Sequence, residues 1–63
     1  MKRALERIAA GLWPRSAAAG TITLAFDDRF RRRIRLVTDQ GEEVLLDLER
    51  AERLDEGDGL RLE

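Results

Sequence analysis

The sequence predicts a small domain built mainly of β-strands. Apolar and polar residues alternate with period two in "TITLAF", in "FRRRIRLVT" and in "EEVLLDLE", the spacing that sends successive side chains to opposite faces of a strand. Turn-forming residues punctuate these runs at Asp27-Asp28, at Asp39-Gln40-Gly41 and across Asp55 to Gly59. The chain has 63 residues, of which 43% are apolar, so it is one domain with a thin core, near the lower limit of what folds without staples.

Taken in order, the first thirteen residues are the exception to the β pattern. Leu5, Ile8, Ala9 and Leu12 stand at i, i+3, i+4 and i+7, among Ala, Leu, Glu and Arg. Residue propensity alone therefore predicts a helix there, ended by Gly11 and Pro14. "PRSAAAG" follows as a linker. In Thr21 to Phe26, Ile22, Leu24 and Phe26 share one face of a half-buried strand, and Asp27-Asp28 suits a turn or the start of a helical turn.

The next two runs frame a hairpin. Phe30, Arg32, Ile34, Leu36 and Thr38 share one face of the first strand, with Arg31, Arg33, Arg35 and Val37 on the other. In the second strand Val44, Leu46 and Leu48 oppose Glu43, Leu45, Asp47 and Glu49. A loop of Asp39, Gln40 and Gly41, with Gly41 in the left-handed bulge position, sets Leu36 opposite Val44 and Ile34 opposite Leu46. A two-residue loop would set apolar residues opposite polar ones, so the pattern rejects it. In the favoured register Arg33 lies opposite Asp47, Arg31 opposite Glu49 and Arg35 opposite Leu45. Arg32 falls on the apolar face near its margin, its stem along the core and its head in water. Glu49 to Arg53 is polar and reads as a helical turn or irregular chain, and Leu60 and Leu62 alternate with Arg61 and Glu63 in a short last strand.

Composition narrows the chemistry. There is no cysteine and no histidine, which removes disulfides, thiolate metal sites, the commonest metal ligand and the usual general base. The adjacent Asp27 and Asp28 point to opposite faces if extended, so they form no shared acid–base site, and the chain does not read as an enzyme. Single, scattered glycines make no phosphate loop. No apolar run approaches the ~20 residues of a membrane span, and Glu6 and Arg7 interrupt any signal peptide, so a soluble, cytoplasmic protein is expected.

Five arginines lie between Arg29 and Arg35, yet 12 basic residues face 13 acidic ones and the net charge is −1. Acids are expected opposite the odd-numbered arginines, which makes the run a solvated strand face. The alternative is a small nucleic-acid-binding β domain using Arg29 to Arg35. Aromatic residues are not interleaved on that face to stack bases.

The stretch "TITLAFDDRFRRRIRLVTDQGEEVLLDLE" with the closing "RLDEGDGLRLE" resembles the N-terminal domain of the urease accessory protein UreE, a nickel metallochaperone family. The similarity is closest over Thr21 to Glu63. Two departures are local: Phe30 stands where similar sequences carry histidine, and "LDLERAERL" lacks a proline usual after the leucine. The resemblance implies an all-β fold, a small sandwich of two short mixed three-stranded sheets, with residues 1–63 as one UreE N-terminal-like domain. It also implies that the N-terminal segment is the first strand rather than a helix. The family's nickel ligands are histidines in a further, C-terminal domain and tail that this chain does not contain, so no residue here is expected to bind metal and no cofactor is expected. The resemblance implies a peptide- or partner-binding module whose partners are apo-urease and the urease accessory GTPase, with no nucleic acid and no membrane, and a homodimer formed through the further domain. Arg31, Arg33, Arg35, Val37 and Leu45 are the expected partner-binding residues, because that face mixes apolar groups with adaptable arginines.

Overall fold

The alternating runs after residue 29 build the hairpin that organises the domain. In the computed structural model, which describes residues 1–25, 27 and 29–63, strand β2 (Phe30–Val37) pairs antiparallel with strand β3 (Glu43–Arg53). The Gly41 amide donates to the Thr38 carbonyl at 2.9 Å, the Thr38 amide donates to the Glu42 carbonyl at 2.8 Å, and Gly41 has φ +91°. That is the three-residue loop with a left-handed glycine. The expected register follows, with Leu36 opposite Val44, Ile34 opposite Leu46, Arg35 opposite Leu45 and Arg33 opposite Asp47.

Beyond Arg33 the expected register fails. Arg31 lies opposite Glu52, not Glu49, and Phe30 opposite Arg53. Leu48, Glu49, Arg50 and Ala51 of β3 fall between the two sets of pairs, against Arg32 alone on β2. Such an irregularity inserts residues into one strand and bends it. Glu49 to Arg53 is accordingly strand, not a helical turn or loop. The extension carries the chain to Leu54, which is buried and whose amide donates to the Arg29 carbonyl. Arg32 is exposed and its Nη1 donates to the Leu48 carbonyl at 3.4 Å.

The N-terminal segment is strand β1 (Lys2–Ile8), as the family resemblance implies and against the helical propensity. It runs parallel to β3, with Ala4 beside Leu46, and antiparallel to strand β4 (Gly59–Leu62). The helical stripe fails because it is not what becomes buried: Leu5 is 44% and Leu12 76% exposed, while Ala4 is fully buried. Two ladders outweigh the small per-residue preference for a helix.

The strands form one four-stranded mixed sheet in the order β2-β3-β1-β4. Among the described residues there is this one sheet and not the two stacked three-stranded sheets expected. The expected strand at Thr21 to Phe26 is the reason. Thr21 to Ala25 takes no ladder partner among the described residues, and Phe26 lies outside them, as does Asp28 of the expected Asp27-Asp28 turn. The face assignment nevertheless holds, since Ile22 and Leu24 pack against the core while Thr21, Thr23 and Ala25 are exposed. In place of a ladder, one backbone bond, from the Asp39 amide to the Thr21 carbonyl at 2.7 Å, and side-chain bonds anchor the segment. Asp39 Oδ2 accepts from Thr21 Oγ1 at 2.6 Å and Thr23 Oγ1 at 3.2 Å, and Gln40 Oε1 accepts from the Thr21 amide at 3.1 Å. The two threonine hydroxyls hold the Asp39 carboxyl below its ordinary range.

The core is Ala4, Leu36, Val44, Leu46, Leu48 and Leu54, with Ile34, Leu60 and Leu62 packed at its margin. The connection from β1 carries a 3-10 turn at Arg15–Ala17, and Trp13 anchors it to the turn before β4. Trp13 Nε1 donates to the Gly57 carbonyl at 3.2 Å, and a Cβ on Gly59 would lie 2.9 Å from that same nitrogen. Gly59→Ala is therefore expected to displace the indole at a cost of about 1–2 kcal/mol. The readout is a red-shifted tryptophan emission together with a lowered denaturation midpoint. Unchanged emission would mean that the indole does not lie against Gly59.

Candidate partner-binding face

Alternation along the hairpin sends Leu36, Val44 and Leu46 to the core and Arg33, Arg35, Val37, Leu45 and Asp47 to the opposite, outer face of the sheet. Adjacent strands extend that face. Arg35 lies opposite Leu45, and Leu45 lies beside Arg3 of β1, so the half-buried leucine sits between two arginines across three strands. Val37, 58% exposed, and Leu5, 44% exposed, add apolar surface.

The arginines on this face are largely answered by acids. Arg35 Nη1 is 3.3 Å from Glu43 Oε2, Arg61 Nε 3.3 Å from Glu6 Oε1, and Arg3 Nη1 3.8 Å from Asp47 Oδ2. Arg3 also forms a two-pronged pair with Glu63, Nε to Oε1 at 3.0 Å and Nη2 to Oε2 at 3.3 Å. That hydrogen bonding holds the Glu63 carboxyl below its ordinary range. An arginine already neutralised by a carboxylate adds little net charge with which to release the cations condensed on a phosphate backbone, so such a face is a poor polyanion groove. It remains suited to protein, where apolar groups and arginines combine.

Of the expected partner-binding residues, the structure brings together Arg33, Arg35, Val37 and Leu45. Arg31 stands apart, beyond the irregularity and opposite Glu52. Arg3 and Leu5 join the face unforeseen, because β1 reaches it through a parallel pairing with β3 that local periodicity does not signal.

A second charged cluster closes the other end of the sheet. Arg7 Nε donates to Glu52 Oε1 at 3.1 Å and Nη1 to Asp58 Oδ2 at 3.0 Å. Asp58 also accepts the Ala10 amide on Oδ1 at 3.0 Å and the Asp55 amide on Oδ2 at 2.9 Å. Burial alone would raise the Asp58 pKa, but the two amides and Arg7 outweigh it and hold the carboxyl below its ordinary range. This cluster ties β1, β3 and the turn before β4 together. Among the described residues no three acids converge as a metal-binding group, and no helix is long and apolar enough to cross a membrane.

The sequence model of the family described as UreE urease accessory protein, N-terminal domain, matches residues 1–63. The chain belongs to the UreE family. The urease accessory protein UreE of Bradyrhizobium sp. (strain ORS 278) is 46% identical over 63 residues, all of this chain and 30% of that protein. The UreE of Beijerinckia indica subsp. indica is 41% identical over the same 63 residues, 36% of its length. That of Azorhizobium caulinodans is 56% identical over 43 residues, 68% of this chain and 21% of that protein. The chain thus spans between 21% and 36% of the length of these UreE relatives. No solved structure matches. The UreE match takes in the first twenty residues as well, the part in which the sequence patterns were least alike.

Proposed function

We propose that this chain acts as the partner-binding N-terminal module of a UreE-type urease accessory protein, supporting nickel delivery during urease maturation in the cytoplasm. Its partners on this reading are apo-urease and the urease accessory GTPase. Nickel is the cargo of the longer protein and is held elsewhere, since this chain offers no histidine or cysteine. The observation that carries the reading is the mixed outer face, where exposed Val37 and Leu5 and half-buried Leu45 lie among Arg3, Arg33 and Arg35. Apolar patches rimmed by adaptable charged side chains mark protein contacts. Arg31, opposite Glu52 beyond the irregularity, is not counted in this patch. A two-sheet sandwich would arise on this reading if the Thr21 to Phe26 segment pairs with a further strand. The interleaved acids count against the nucleic-acid alternative.

The test is the double variant Val37→Ser/Leu45→Ser, with its fold checked by circular dichroism and thermal melting. Capture of apo-urease and of the accessory GTPase by the variant is expected to fall by roughly tenfold or more, and capture by the parent chain to weaken as salt rises. Equal capture of both partners by parent and variant would remove this face from the account.

A further inference from the structure

We infer, resting on the partner-binding reading above, that the free edge of β2 is a docking strand for an acidic, extended segment of a protein partner, which joins the four-stranded sheet along that edge. β2 closes one side of the sheet; just beyond its end the Asp39 amide donates to the Thr21 carbonyl at 2.7 Å, and among the described residues no backbone bond reaches the outer side of Arg33, Arg35 or Val37. The backbone groups it offers follow from the hairpin. The Thr38 amide donates across to Glu42, and bonded residues alternate along an antiparallel ladder. Between the irregularity and the loop, Ile34 and Leu36 therefore turn their N–H and C=O groups to β3, while Arg33, Arg35 and Val37 turn theirs outward. Such a row of open donors and acceptors accepts a further strand.

The side chains select the occupant. β2 reads FRRRIRLV, with four arginines and no acid. A second copy docking edge to edge would set arginine against arginine, which opposes pairing. On its inner side β2 already meets the chemistry that suits it: β3 sets Asp47 opposite Arg33 and places Glu43 in an ion pair with Arg35. An incoming strand with acids at alternate positions repeats that arrangement on the outer side. Arg33 is poised for it. The acid opposite it, Asp47, is engaged by Arg3, and Arg33 makes no ion pair among the described residues.

The test titrates the isotope-labelled chain with an octapeptide alternating glutamate and threonine, with its lysine counterpart, and with the glutamate peptide N-methylated at its central amides. The glutamate peptide is expected to bind at or below millimolar concentration and to slow hydrogen exchange at the Arg33, Arg35 and Val37 amides. The lysine peptide is expected not to bind, and N-methylation to weaken binding by roughly tenfold or more, since it removes backbone pairing. Arg35→Pro, which deletes an outward amide and spares the ladder to β3, is expected to abolish binding. Arg33→Glu gives the same readout through charge if the proline variant does not fold. Full-strength binding of the methylated peptide, binding that leaves the edge amides unprotected, or no binding of the glutamate peptide each overturns the inference. The capture assay separates the two readings. Capture that depends on Val37 and Leu45 without edge protection leaves the partner-binding reading standing alone, and absence of any capture by the parent chain removes that reading itself.

Discussion

Replacing Leu46 by alanine is expected to remove most of the stability of this domain. Leu46 is fully buried at the centre of the sheet, opposite Ile34 of β2 and beside Ala4 of β1. Truncating a buried leucine costs about 2–5 kcal/mol, because the lost transfer free energy is joined by the cavity left behind. Ala4 offers no side-chain mass to fill that cavity, so the upper part of the range applies. Native domains hold about 5–15 kcal/mol, with small ones at the low end, so the variant stands at the margin of folding. Urea denaturation should show a sharply lowered midpoint. The control is Leu45→Ala, one residue along and half-buried on the outer face, which should cost less than about 1 kcal/mol. Equal losses for the two leucines would mean that the sheet's faces are assigned wrongly.

That contrast between neighbouring leucines was legible in the sequence, because period two and a three-residue loop are local constraints that reinforce each other. Slipping the hairpin by one residue would expose Val44, Leu46 and Leu48 together, so only one register buries them. The parts that were not legible depend on distant chain. Met1 to Ala10 favours a helix residue by residue, and its fully buried side chain, Ala4, is also the best helix former. Only the parallel pairing with β3 decides for a strand, and composition carries no sign of that. The irregularity between Arg31 and Arg33 was hidden for a related reason. After Leu48 the sequence turns polar, and nothing local shows that β3 continues to Arg53 and delivers Leu54 to the core. Thr21 to Ala25 shows the converse failure, a strand-like alternation whose ladder the described residues do not supply.

The candidate face divides along the same line. Arg33, Arg35, Val37 and Leu45 are legible as one group because they belong to one hairpin. Arg31 left the row because the irregularity intervenes, and Arg3 and Leu5 entered it because β1 pairs in parallel with β3, which no local pattern signals. Charge pairing shows the division again. Asp47 and Glu49 are the acids the expected register sets against Arg33 and Arg31, yet an ion pair between these two strands joins Arg35 to Glu43. Asp47 is approached by Arg3 from β1 instead of by Arg33, an exchange that only the strand order β2-β3-β1-β4 reveals.

The Arg7–Asp58 cluster leads to the second large expected effect, in Asp58→Ala. The Asp58 side chain is only 7% exposed and accepts from Arg7, from the Ala10 amide and from the Asp55 amide. Alanine leaves all of these donors without their acceptor, at a cost of about 2–3 kcal/mol for hydrogen bonds to a charged group. Asp58→Asn rescues little, because an amide nitrogen would face donors where a carboxylate oxygen stood. The effect carries a pH signature. The folded Asp58 carboxyl lies below its ordinary range, so its stabilising contribution is complete above the unfolded value of about 3.9 and is lost as pH falls through the folded value beneath it. The gap between parent and Asp58→Ala in urea midpoints should therefore be full at neutral pH and narrow progressively below about pH 4. Asp39 and Glu63, whose carboxyls are also held low, add acid lability of the same sign to both proteins and so leave the difference untouched. A gap that stays constant into strong acid would mean that the lost methylene packing, and not the ionised carboxylate, carries the contribution of Asp58.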